Sequence, residues 1–225
     1  MSESARKFMF LDASSRDVIG IIGKGNGKDP EKFCWNTKQD FASKISLFAD
    51  QMLRSADLKL TDLDILAVGT GPGSLTGLRV AAAFFRTTSQ FSGIPIVGIS
   101  LFQWALESLI LESENKSHSD EEILLSTPYI RNSVFAVDIS DLSKGYSDDV
   151  HKTLRIIEKD SDFSDFRHYG INYCPENASQ IDLSPLAAER IISRAVTKNT
   201  LAEVFSVLPL YVAPSIAEMN LGIHS

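Results

Sequence analysis

The chain has 225 residues, 44% hydrophobic and 23% charged, and its 22 basic against 29 acidic residues leave a net charge of −7. That composition supplies a sizeable core, excludes wholesale disorder and a stapled mini-protein, and has the wrong sign for gripping nucleic acid through phosphates unaided. The longest apolar runs, 65–68 and 94–97, fall far short of the roughly 20 residues a membrane helix needs, so no membrane span is expected. Asp12 cuts the first apolar stretch, 8–11, below the length of a signal-peptide core, which makes the cytoplasm the expected location. Two cysteines, Cys34 and Cys174, make neither a disulfide framework nor a metal knuckle and read as reduced thiols.

In chain order, 7–13 reads as a buried strand, 14–17 as a polar turn and 18–22 as a hairpin partner. A glycine-rich tip follows, and 33–35 predicts a third strand. Thr37 with Asp40 resembles a capping box. After it Phe41, Ile45, Phe48 and Met52 recur at spacings of four, three and four, predicting an amphipathic helix over 38–56. Residues 61–64 form a turn, 65–68 a short buried strand, and 69–77 a loop with four glycines in nine residues. A helix over 77–91, a strand over 94–98 and a helix capped by Ser100 and ending near Leu111 come next. The acidic segment 112–122 lacks apolar periodicity and reads as a solvated linker. Beyond it, 123–127 and 134–139 predict strands, 141–149 an acidic loop, and Ser184 with Pro185 the start of a helix reaching Lys198. No internal repeat is evident. The order predicts an α/β fold with a mixed sheet of the ribonuclease-H-like or actin-like ATPase kind, divided into subdomains 1–111 and 123–225.

Chemistry concentrates in the loop Gly69-Thr70-Gly71-Pro72-Gly73-Ser74-Leu75-Thr76-Gly77, which runs from a strand into a helix. Glycines permit close backbone approach and a helix N-terminus favours negative charge, so the loop suits a phosphate. It suits equally a tight turn that caps the next helix. Neither the Walker A spacing nor the dinucleotide fingerprint is met, and Ser74 lacks the flanking glycines of a nucleophile elbow. Asp12, beside Ser14 and Ser15, could hold magnesium or orient a phosphate, or simply form an Asx turn. Arg79 reads as an anion clamp, a partner for Asp12 or a surface ion pair. His118, His151, His168 and His224 share no metal-ligand spacing and are expected to be solvated. The helix over 77–91 is apolar on nearly every side. Ala81 to Ala83 would allow close helix approach and Phe84 and Phe85 could anchor a partner, with intrachain core as the alternative.

The stretch VGTGPGSLTGLRV, followed by GIPIVGIS, resembles the TsaB (YeaZ-like) family of bacterial threonylcarbamoyladenosine biosynthesis, whose hallmark is a GxGPGSFTGLR-type loop. The opening FMFLDASS, the lead-in LTDLDILAVG and the tail LPLYVAPSIAE are similar to further family motifs. The resemblance implies an actin-like ATPase fold of two subdomains with mixed sheets flanked by helices. It also implies a degenerate nucleotide loop, comprising Asp12, Ser14, Gly71, Gly73, Ser74, Thr76, Gly77 and Arg79, with no required cofactor and at most weak ATP or ADP binding. The implied role is a non-catalytic scaffold docking on a TsaD-like transferase, joined by a TsaE-like ATPase, meeting tRNA only through the complex and forming a homodimer when alone. Phe41, Ile45, Phe48, Met52, Ala81, Phe84 and Phe85 are the residues expected at the partner interface. Departures from the family occur at Phe41-Ala42, Phe85-Arg86-Thr87, 128–132 and Ala213. The rival readings are an ATPase or phosphotransferase using Asp12, Ser74 and Thr76 with magnesium, and a peptidase with Ser74 as nucleophile.

Overall fold

Strand β1 (Lys7–Asp12) carries four consecutive apolar residues, Phe8 to Leu11, each at most 1% exposed. A strand's side chains alternate between faces, so a run apolar on both must lie mid-sheet with both faces covered. That is its position. In the computed structural model, which describes residues 6–37, 40–113, 122–129, 132–139, 154–159, 161, 166–173, 179–198 and 206–209, β1 pairs antiparallel with β2 (Asp17–Lys24) and parallel with β4 (Ile65–Gly71). With β3 (Glu31–Asn36) and β5 (Ile96–Ser100) this gives the order β3-β2-β1-β4-β5. Met9 and Leu11 face helices α1 (Phe41–Ala56) and α2 (Leu75–Ser92), while Phe8 and Phe10 face helix α3 (Leu101–Ser113) on the opposite side.

The second half repeats the pattern. Strand β6 (Ile123–Pro128) pairs antiparallel with β7 (Ser133–Ile139), which pairs antiparallel with β8 (Arg155–Glu158); β6 also pairs parallel with β9 (Arg167–Gly170), followed by β10 (Ser179–Gln180). The order β10-β9-β6-β7-β8 reproduces that of the first sheet, each half built outward from its first strand. The mixed two-sheet α/β architecture expected from the sequence is thus present, with a topological repeat that residue similarity does not betray. Helix α3 and helix α4 (Pro185–Thr197) pack together between the sheets, and one apolar cluster runs from Phe8 and Phe10 through Trp104 to Leu125, Phe135 and Ile191.

Several expectations need correction. Helix α1 starts at Phe41. Asp40, at its N-cap, makes no side-chain cap bond, and the Thr37 hydroxyl donates to the Arg16 carbonyl instead. The stripe Phe41, Ile45, Phe48 and Met52, expected to meet a partner, is the protein's own core, as are Ala81 and Phe85, because both helices lay these residues on the first sheet. Phe84 alone of the seven is half-buried. Helix α3 continues through Glu112 and Ser113, the first residues of the expected linker. His168 is buried, not solvated. His118, His151, His224, Cys174, Ala213, the acidic loop 141–149 and most of the tail motif lie outside the described residues.

Met52 is 0% exposed, whereas Leu47 on the same helix is 50% exposed. Met52→Ala should therefore cost about 2–5 kcal/mol in denaturant unfolding, and Leu47→Ser should stay within about 0.5 kcal/mol of the parent. Comparable losses in both would show that α1 is not seated on the sheet.

Candidate functional site: the glycine loop and the outer face of the second helix

Asp12 ends β1 with its carboxylate turned inward, and the chain folds back through Ala13 and Ser14. The Ser14 amide and hydroxyl donate to Asp12 Oδ2 at 3.1 and 2.5 Å, an Asx-type turn that leaves Oδ1 buried without a hydrogen-bond partner. Burial pushes the Asp12 carboxyl above its ordinary 3.8, and the two bonds from Ser14 oppose that rise.

The glycine loop lies directly on this turn. The Ser74 amide donates to the Ser14 carbonyl at 2.6 Å, and the Ser74 hydroxyl accepts the Gly77 amide at 3.3 Å, capping α2. A Cβ at Gly69 would stand 2.0 Å from Asp12 Oδ1, and one at Gly73 would stand 2.2 Å from the Ser14 carbonyl oxygen. These glycines make room for the protein's own turn. The structure thus brings Asp12, Ser14, Gly71, Gly73, Ser74 and Gly77 into one locality, while Thr76 and Arg79 stand exposed on the first turns of α2. Among the described residues, no group of three or more His, Cys, Asp or Glu side chains is placed to hold a metal ion.

The outer side of α2 differs in character. Ala83, Phe84, Thr87, Thr88, Phe91 and Ser92, with Leu60 from the 3-10 turn Leu60–Asp62, line an open apolar groove of about 700 Å³. Phe91 is 86% exposed at its end. Of the partner residues expected from the sequence, this groove contains Phe84, and the sequence reading missed Phe91, whose place as the last aromatic of an apolar helix was the available signal.

The sequence reading also missed a buried polar cluster in the second sheet. Ser126 on β6 stands 2.6 Å from His168 Nε2 and 2.5 Å from the Tyr173 hydroxyl. Ser126 is 0% exposed, which closes its hydroxyl to a substrate. Burial pushes the His168 imidazole below its ordinary 6.5 and raises the Tyr173 phenol, the latter opposed by the Ser126 bond.

The family described as tRNA N6-adenosine threonylcarbamoyltransferase matches residues 35–125. The tRNA threonylcarbamoyladenosine biosynthesis protein TsaB of Buchnera aphidicola is 29% identical over 91 residues, 40% of this chain and 41% of that protein. A tRNA N6-adenosine threonylcarbamoyltransferase of Polynucleobacter necessarius is 33% identical over 99 residues, 44% of this chain and 25% of that protein. The chain thus spans under half the length of these curated relatives. The structure of YeaZ from Pseudomonas aeruginosa superposes with a TM-score of 0.65 at 14% identity, covering 92% of this chain and all of that one.

Two titrations follow from the geometry. Asp12 binds its proton more tightly folded than unfolded, so its contribution is fully present below 3.8 and lost as pH rises through the folded value. The melting temperature of Asp12→Asn should accordingly gain on the parent from pH 4 to pH 8, and a constant difference would refute the buried carboxylate. His168 is held neutral, so its contribution is complete above 6.5 and declines as pH falls below it. The stability advantage of the parent over His168→Gln should shrink between pH 7.5 and pH 5, which thermal melts would detect.

Proposed function

We propose that this TsaB/YeaZ-like chain is the non-catalytic scaffold subunit of the machinery that makes N6-threonylcarbamoyladenosine beside the anticodon of tRNA, docking on a TsaD-like transferase. The observation that carries the reading is the seating of the glycine loop on the Asp12–Ser14 turn. A phosphate cradle needs free backbone amides and space above its glycines. Here the Ser74 amide is taken by the Ser14 carbonyl, the Gly77 amide by the Ser74 hydroxyl, and the space at Gly69 and Gly73 by Asp12 and Ser14. The topological repeat argues the same way, since β6 ends in Pro128 where β1 ends in Asp12, so that among the described residues this strand end supplies no second carboxylate. On this reading the loop serves the protein's own turn and at most weak ATP or ADP binding remains to it, so the alternative of an ATP-dependent phosphotransferase through Asp12 and 71–77 is not favoured.

In this role the chain supplies surface. The apolar groove with Phe84 and Phe91 is the docking face for the transferase, and in its absence a second copy covers the same face. A TsaE-like ATPase joins the assembly, and tRNA is bound by the assembled complex, because a chain of net charge −7 repels it. The transferase carries the metal and the chemistry.

Two measurements test this. Phe91→Asp should leave the melting temperature unchanged, since the residue is 86% exposed, yet expel a TsaD-like transferase in co-purification, because a carboxylate buried in an apolar seam costs several kcal/mol. Retained co-purification would remove the docking face. Phosphate release from magnesium-ATP by the isolated chain should stay far below the usual enzymatic range of about 1 per second. Turnover in that range, abolished by Asp12→Ala, would replace the scaffold with an enzyme.

A further inference from the structure

Between the two sheets, one stripe of α3 is polar where a buried helix has least reason to be. Glu107 is 2% exposed, and its two carboxylate oxygens accept from the two terminal nitrogens of Arg194 on α4 at 2.6 and 2.7 Å. Arg190, one turn earlier, places Nη1 3.9 Å from the same carboxylate. One turn before Glu107, the Trp104 indole donates to the Ser184 carbonyl at 2.7 Å, and the Ser184 amide donates to the Ser108 hydroxyl at 3.0 Å. Trp104, Glu107 and Ser108 stand at i, i+3 and i+4 and so share one face of α3. Together they hold both the start of α4 and its last turn. A further tie runs from the first sheet, where Lys32 Nζ on β3 donates to Asp182 Oδ1 and the Leu183 carbonyl, each at 2.8 Å, just before α4.

From this geometry we infer that Glu107 and Arg194 are a latch that fastens the two sheet halves into one rigid body, so that the two sheets do not swing apart about a hinge. A bidentate carboxylate–guanidinium pair fixes direction as well as distance. Sliding or rotating α4 over α3 would strand the Glu107 charge in the core, which gives the closed arrangement a sharp minimum instead of a range of angles. The apolar cluster continuous through both sheets acts in the same sense. The inference rests on no reading of the chain's partner and holds whether or not it docks a transferase.

Native-state hydrogen exchange with peptide resolution tests the latch on the full chain. In the parent, peptides of β6, β7 and α4 should exchange only with those of β1 and β4, in the single slowest class, and added magnesium-ATP should not move them. Glu107→Gln keeps the shape and removes the charge. It should release α4 and the second sheet ahead of the first, on the order of tenfold faster or more, while β1 and β4 keep their parental order. Earlier exchange of the second sheet in the parent would overturn the inference, as would a Glu107→Gln pattern identical to the parent's. Should Glu107→Gln fail to accumulate, Arg194→Lys, which keeps the charge but loses the fork, provides the same comparison and the same two outcomes.

Discussion

The burial of α3 on nearly all sides is the constraint on which the rest of the architecture depends. Leu101, Phe102, Trp104, Ala105, Leu106 and Leu109 are interior together with Glu107 and Ser108, and no single sheet can cover a helix buried on nearly all sides. One half therefore cannot be complete without the other. The first sheet offers Phe8 and Phe10 from β1, with Phe10 set edge-on to Trp104 at 5.0 Å between ring centroids, and the second offers Leu125 and Phe135. Any polar atom on such a helix must then be satisfied inside the protein, which is why Glu107 and the Trp104 indole find partners on α4.

How much of this was legible in the sequence depended on whether the deciding partner was local. The continuous apolar run of β1, the Ser100 cap of α3, whose hydroxyl accepts the Gln103 amide at 3.1 Å, and the Pro185 start of α4 are local signals and were readable. The stripe Phe41, Ile45, Phe48 and Met52 was readable as a stripe but not as core, because a spacing of three and four is the same whether the covering surface is the protein's own sheet or another chain. What decides it is β2, where Gly20 lies so close that a Cβ there would come 2.5 Å from the Met52 sulfur. Strands β8, β9 and β10 are only four, four and two residues long and carry no apolar run long enough to announce a strand, so they exist by pairing. His168 became interior through Ser126, forty-two positions earlier in the chain.

The glycine loop shows the same limit at the functional site. Its glycines announce that something approaches the backbone closely, and the sequence cannot say whether that is a phosphate or a protein carbonyl. The answer lies in the Ser14 oxygen, sixty residues from Ser74 along the chain, and in the orphaned Oδ1 of Asp12 pressed against Gly69. A loop used in this way stiffens the N-terminus of α2 and so orients the aromatic side chains at its far end. Eighteen residues of helix, Leu75–Ser92, at about 1.5 Å each carry that orientation from the Ser74 cap past Phe91.

The edge position of β3 has a consequence for solution behaviour. A six-residue strand with one side unpaired among the described residues, bearing Phe33 and Trp35 stacked at 5.5 Å, is a template on which a neighbouring chain could add itself and begin an aggregate. The alternating exposed positions are Glu31, Lys32, Cys34 and Asn36, so an incoming strand meets charge before it meets the aromatic pair. Lys32, tied across to Asp182, closes part of that edge with the same bond that joins the halves. Lys32 thus guards this edge from outside the core, since its removal would leave every core residue in place.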